Sequence, residues 1–125
     1  MQVSLLWFKR DLRVEDHEPL LLASNFDRCI CLFVYEDSLL ESIEYDASHH
    51  GFLNESLYEL DKELRSMGNF LLLKRGSVCS VLNELKAQYQ FSHIFSHEET
   101  GHDLTYKRDI EVSNWCLENH VSWKQ

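Results

Sequence analysis

The sequence predicts an α/β fold, a doubly wound sheet of five parallel strands with helices on both faces. Three observations carry this. Five short apolar runs, each closed by charged or polar residues, are spread along the chain. Between them lie segments whose apolar residues recur at helical spacing. Short strands alternating with helices imply a parallel sheet, and 125 residues suffice for one ordinary domain. Right-handed crossovers then restrict the topology to doubly wound orders such as 3-2-1-4-5.

The elements follow in order. Val3-Ser4-Leu5-Leu6-Trp7-Phe8 is apolar throughout and stops at Lys9-Arg10-Asp11-Leu12-Arg13. A short run bounded by charge suits a strand buried on both faces. Asp16 is placed to cap a helix with Glu18 and Pro19 in its first turn. Strand two is Cys29 to Tyr35, ending at Glu36-Asp37; residues 38–48 lack a period and read as a loop with a helical turn. From about His50, Leu53, Leu57, Leu60, Leu64 and Met67 make one apolar stripe, closed by Gly68-Asn69. Phe70 to Leu73 is strand three, stopped by Lys74-Arg75-Gly76. Ser77 caps a helix carrying Val78, Val81, Leu82 and Leu85, and His93 to Ser96 is strand four. The last helix runs from about Leu104 to Glu118, with Ile110, Val112, Trp115 and Cys116 as its buried positions. Val121-Ser122-Trp123 begins strand five.

Composition narrows the function. Lys and Arg number 12 against 21 Asp and Glu, a formal charge of −9. Such a domain repels phosphate backbones and anionic membranes, so no direct nucleic-acid or membrane partner is expected. No apolar run approaches the roughly 20 residues of a membrane span, and no signal peptide is visible, which points to the cytoplasm. The four cysteines include no C-x-x-C pair, and reduced thiols are expected.

Ligands of open α/β sheets sit at the carboxyl ends of the strands, at the point where strand order reverses. Here that crevice lies between strands one and four, flanked by Lys9–Asp16 and His97–Asp103, the two most densely charged loops. Three common chemistries are excluded. No glycine precedes Gly51, so no glycine-rich dinucleotide turn exists, and there is no P-loop. A phosphoacceptor receiver needs an acidic residue after strand three, where Lys74-Arg75 stands. His97, Glu98, Glu99 and His102 raise a metal centre. Loop His and Glu are mostly solvated or paired, so no metal is assigned. No nucleophile–base pair is identifiable, so no catalytic residue is assigned.

Trp7-Phe8-Lys9-Arg10-Asp11-Leu12-Arg13, then Asp16-His17-Glu18-Pro19-Leu20, closely resembles the amino-terminal signature of the DNA photolyase and cryptochrome family. Phe52-Leu53, Glu55-Ser56-Leu57, Leu60, Leu64, Gly68 and Gly76 resemble its second helix and third strand. Ser96-His97-Glu98-Glu99-Thr100-Gly101, Tyr106, Arg108-Asp109 and Trp115-Cys116 resemble the loop and helix after strand four. The resemblance covers essentially the whole chain and implies a Rossmann-like domain that binds a light-harvesting antenna chromophore. FAD and damaged DNA belong to a larger helical carboxyl-terminal domain, absent from these residues. The implied parent is a photolyase performing light-driven pyrimidine-dimer repair or a blue-light cryptochrome. This chain alone is not expected to be an enzyme. Its partners would be that FAD domain and a small-molecule chromophore, from which excitation passes to FAD.

The candidate chromophore-binding residues are Lys9, Arg10, Asp11, Arg13, Phe33, Tyr35, His97, Glu98, Glu99 and Gly101. Asp11 also reads as a turn carboxylate accepting loop N–H groups, and Arg13 as a partner of Glu15. Phe33 and Tyr35 read either as a stacking surface or as core. Arg108-Asp109 reads as an ion pair bracing the first motif. Folate-binding members commonly carry Asn-Glu a few residues before the Arg-Asp pair, where Leu104-Thr105 stands here. A deazaflavin or flavin is therefore favoured over methenyltetrahydrofolate. Two alternatives stay open: a stand-alone nucleotide-binding or signalling domain, and a structural capping domain with an empty slot. Trp7, Trp115 and Trp123 are read as packing, because the family's flavin-reducing tryptophans lie in the other domain.

Overall fold

The computed structural model describes residues 2–36, 47–98 and 103–125. The chain runs β1 (Val3–Phe8), α1 (Glu18–Ala23), β2 (Arg28–Tyr35), α2 (Ala47–Ser66), β3 (Leu71–Arg75), α3 (Val78–Tyr89), β4 (His93–Phe95), α4 (Asp103–Glu118) and β5 (Ser122–Lys124). The sheet order is β3-β2-β1-β4-β5, and every neighbouring pair is parallel. The expected fold class and strand order are both observed. Of the loop expected at 38–48, residues up to 46 lie outside the described residues, and Ala47 is already helical.

β1 is apolar on both faces because alternate residues feed two cores. Leu5 and Trp7 join Leu82, Leu85, Val112 and Trp115 beneath α3 and α4. Leu6 and Phe8 join Leu20, Leu57, Leu60 and Leu64 beneath α1 and α2. Ser4 is the polar exception; its hydroxyl donates to the Ala23 carbonyl at 2.8 Å, tying β1 to α1. The thiols belong to the packing. A hydrogen bond to Cys29 and burial push Cys31 far up, and burial pushes Cys116 up to about 11.

Helix ends follow local chemistry. After α2, Gly68 takes φ +85. Its N–H reaches the Arg65 carbonyl at 3.1 Å, and the Asn69 N–H reaches Leu64 at 2.9 Å. This paired closure needs the left-handed backbone that glycine adopts without steric cost. The Ser77 hydroxyl accepts the Ser80 N–H at 3.2 Å and caps α3, as expected.

Four expectations are corrected. Lys74 and Arg75 lie inside β3, since an edge strand leaves long side chains room to reach solvent; Lys74 pairs with Glu84 at 2.8 Å. Met67 is exposed because α2 has already closed at Ser66. Ile110 is 46% exposed, on a face of α4 turned away from the sheet. The cap of α1 is His17 rather than Asp16, which instead takes a left-handed φ of 48° and turns the chain one residue earlier. Among the described residues, no helix is long and apolar enough to cross a membrane.

Candidate functional site

The turn leaving β1 is organised by one buried carboxylate. Asp11 Oδ1 accepts the Lys9 N–H at 2.9 Å, bending the chain as it leaves the strand. Its Oδ2 is hydrogen-bonded to His17 Nε2. The other ring nitrogen of His17, Nδ1, accepts the Leu20 N–H at 3.0 Å and caps α1. One imidazole thus joins the turn to the helix it precedes. Burial pushes the Asp11 carboxyl up. The bonds from His17 and Lys9 outweigh that and hold it below its ordinary value of 3.8.

A second cluster surrounds Trp7. Lys9 Nζ lies 4.5 Å from the Trp7 ring centre and 5.5 Å from that of Trp123. The Arg108 guanidinium lies 4.9 Å from the Trp7 ring. Two cations beside one buried indole are satisfied by its electron-rich face and by carboxylates. Arg108 pairs with Glu36 at 3.0 Å and with Asp109 at 2.9 Å. Lys9 approaches Asp109 at 3.8 Å and the Gln125 amide oxygen at 3.5 Å. Arg108-Asp109 therefore braces the first motif, as expected, and also reaches the end of β2. The Trp123 N–H donates to the Ser96 hydroxyl at 2.9 Å, fastening β5 to the end of β4.

The structure places the candidate residues in three groups. Lys9 and Asp11 lie inside the networks just described. Phe33 and Tyr35 meet edge-on at 5.2 Å; Phe33 is buried, while Tyr35 is partly open and its hydroxyl donates to Asn54 at 2.9 Å. Arg10, Arg13 and Glu98 are exposed. Arg13 bonds the carbonyls of Glu15 and Asp16 at 3.1 and 3.3 Å, rather than the expected Glu15 carboxylate, and so closes its own loop. His97 crosses from β4 to the first motif. Its Nε2 is 3.8 Å from Asp11 Oδ2, and its ring stands edge-on to His17 at 4.6 Å. That Nε2 is buried and has no hydrogen-bond partner among the described residues. Glu99 and Gly101 lie outside the described residues.

Sequence reasoning passed over His17 and Glu36. His17 carried one usable signal, an acceptor side chain immediately before Glu18-Pro19. Glu36 carried none, since its partner stands 72 residues away.

Asp11, His17 and His97 present three ligand-type atoms within 4.8 Å of one another. The hydrogen bonding opposes a cation there. With Nδ1 accepting from Leu20, the neutral His17 ring is assigned its proton on Nε2, the atom that a metal needs bare. The arrangement is a hydrogen-bonded brace. It holds the loops after β1 and β4 against each other at the switch point.

Comparison with known proteins agrees with this architecture. The family model described as DNA photolyase matches residues 4–125. A cryptochrome DASH of Gloeobacter violaceus is 30% identical over 116 residues, covering 87% of this chain and 23% of that protein. Cryptochrome-1 of Arabidopsis thaliana is 37% identical over 98 residues, covering 74% and 14%. Among solved structures, the archaeal photolyase of Sulfolobus tokodaii superposes with a TM-score of 0.85 at 30% identity, covering 98% of this chain and 28% of that one. That structure is described as holding two FAD molecules, with the implication of a novel light-harvesting cofactor. The chain thus spans 14% to 28% of the length of these relatives.

Proposed function

The chain belongs to the DNA photolyase family, and on that premise we propose that it holds a light-harvesting chromophore and passes its excitation to FAD. The FAD would be carried by the helical portion that follows this region in a full-length parent. The observation that carries the reading is the approach of His97 to Asp11 at 3.8 Å. It draws the loops after β1 and β4 into one rim at the switch point, where open α/β sheets take their ligands. Arg10 and Glu98 belong to those two loops and are exposed. His97 Nε2, without a hydrogen-bond partner among the described residues, is the polar group at this rim that a ring carbonyl or N–H would satisfy.

Antenna function requires position and rigidity rather than bond-making. The Asp11 brace and the Trp7 cluster supply rigidity to the floor of the site. Thr105 stands where folate-binding members commonly carry a glutamate, and it is 1% exposed. That favours a flavin or deazaflavin over methenyltetrahydrofolate. The chain would act in the cytoplasm without touching DNA itself, and light-driven repair or blue-light sensing would belong to the parent. Arg10→Ala and His97→Ala are expected to weaken FMN or deazaflavin binding about tenfold each, roughly 1.4 kcal/mol, with the fold intact by circular dichroism. Unchanged affinity in both variants would remove the site assignment.

A further inference from the structure

Two buried cations lie against one buried indole. Trp7 stands next to last in β1, the strand whose exit carries the Lys9–Asp16 loop. Lys9 Nζ and the Arg108 guanidinium lie 4.5 and 4.9 Å from its ring centre, and both residues are buried. Arg108 is held by Glu36 and Asp109, and Lys9 approaches Asp109, so both cations stay charged and fixed at the ring. Packing alone does not call for this. Apolar side chains of similar volume are often as stabilising as buried charges, because the charges must be taken out of water. Trp115 shows the contrast. It is buried too, its N–H donates to Asn83 at 2.6 Å, and among the described residues no Lys or Arg stands over its ring.

We propose that Lys9 and Arg108 insulate Trp7 against one-electron oxidation. A neutral indole attracts a cation to its electron-rich face. An indole that has lost an electron is itself positive, and it repels the same cation, strongly so where water is excluded. The two cations meet the Trp7 ring directly, so they stabilise its neutral form and oppose the oxidised one. The step they suppress is the transfer of one electron from the Trp7 ring to an oxidant, which gains that electron and leaves Trp7 as a radical cation. Two oxidants fit the place. One is a photoexcited flavin-type ring. The other is an oxidised Trp123, which is partly exposed and lies 5.9 Å from Trp7, with Lys9 5.5 Å from its own ring. An excited antenna that takes an electron from a neighbouring indole loses its excitation before passing it on. That consequence for light harvesting rests on the antenna reading; the insulation of Trp7 does not.

The test exposes the chain to the carbonate radical anion, a one-electron oxidant, and reads indole oxidation products at Trp7 and Trp115 by peptide mass spectrometry. Trp115, buried as Trp7 is, serves as the reference inside each sample. In Lys9→Leu the Trp7 product relative to Trp115 is expected to rise about tenfold, the order that removal of one adjacent unit charge produces. Asp109 keeps its pair with Arg108 in this variant. Lys9→Arg retains the charge and should leave the ratio where it stands in the unsubstituted chain. A cluster that serves packing alone gives an unchanged ratio in Lys9→Leu, and that result overturns the proposal. An equal rise in Lys9→Arg overturns it as well. Opening of the fold raises Trp115 together with Trp7, so each sample reports its own folding. If Lys9→Leu opens the fold, Lys9→Gln gives the second reading, and a ratio that does not rise there also counts against the proposal. No chromophore enters the experiment, so failure of the antenna reading leaves this result standing, and an uninsulated Trp7 leaves the antenna result standing.

Discussion

The Asp11 carboxylate and the His17 imidazole are hydrogen-bonded across the β1–α1 turn, while the far nitrogen of the same ring caps α1 through the Leu20 N–H at 3.0 Å. The pair therefore fixes the exit of the central strand and the start of the first helix with one side chain. His17→Ala removes both functions. It is expected to cost about 2–4 kcal/mol, from a lost cap and a charge-assisted hydrogen bond. His17→Asn should recover the cap alone, because its amide oxygen reaches the Nδ1 position. His17→Gln should recover only the Asp11 contact, because its amide nitrogen reaches toward Nε2. Denaturant midpoints of the three variants check this. Equal losses in all three would show that the two bonds do not act separately.

The same geometry assigns the His17 tautomer. With Nδ1 accepting the Leu20 N–H, that nitrogen is expected to be bare and Nε2 protonated. Long-range proton–nitrogen correlation spectra of the ring read this directly. Zinc titration of the chain should then leave the His17 ring resonances in place. A stoichiometric zinc-induced shift of His17 and His97 together would restore the metal reading.

Acid stability follows from Asp11. Its folded carboxyl is held below the ordinary value of 3.8, so the unfolded chain binds the proton more readily. The contribution is fully present above 3.8 and is lost as pH falls below it toward the folded value. Asp11→Asn should flatten that part of the stability curve while lowering stability at pH 7. Urea midpoints measured between pH 2.5 and 7 for both proteins test the sign.

Arg108 ties the end of β2 to α4 through Glu36 and lies against Trp7. Arg108→Ala leaves Glu36, whose side chain is 10% exposed, without this partner. The expected loss is about 3 kcal/mol or more. Arg108→Lys should recover only part, because a point charge cannot serve Glu36, Asp109 and the indole at once. Thermal unfolding followed by tryptophan fluorescence measures both. A fully stable Arg108→Lys would show that charge alone suffices.

The buried thiols give a chemical check on the core. Cys31 and Cys116 are both pushed up, the first by its bond to Cys29 and by burial, the second chiefly by burial. Neither is expected to react with iodoacetamide at pH 8 in the folded chain. Mass spectrometry after brief labelling reads this, and rapid labelling of Cys31 would contradict the packing of β2 against α1 and α2.

The fold was legible because each of its signals is local. Apolar runs such as Val3 to Phe8 announce two-sided burial, and the stripe of Leu57, Leu60 and Leu64 announces a helix face. Gly68 and Ser77 announce helix ends within a residue or two. Where a position depends on distant partners, sequence pattern misleads. Ile110 looks like a core position by type, yet it stands two residues from both Arg108 and Val112, off the buried face of α4, and is exposed. The site was half legible. The two loops were identifiable from charge density and strand order. The division of labour inside them was not, since Lys9 is drawn inward not only by neighbouring Trp7 but by Asp109 and the Trp123 indole, both far away in the sequence. His17 was hidden differently: the cap falls on the side chain that can reach both Asp11 and Leu20, and neighbouring Asp16 is the commoner capping type.

The most direct test of the antenna reading is an absorption and fluorescence titration of the purified chain with FMN, a deazaflavin and methenyltetrahydrofolate. A saturable spectral shift with FMN or the deazaflavin, weaker with the folate and diminished in Arg10→Ala, is the predicted result. A bare protein spectrum with all three, both in this chain and in a chimera in which it replaces the matched segment of the Sulfolobus tokodaii photolyase, would contradict it and leave a structural cap with an empty slot.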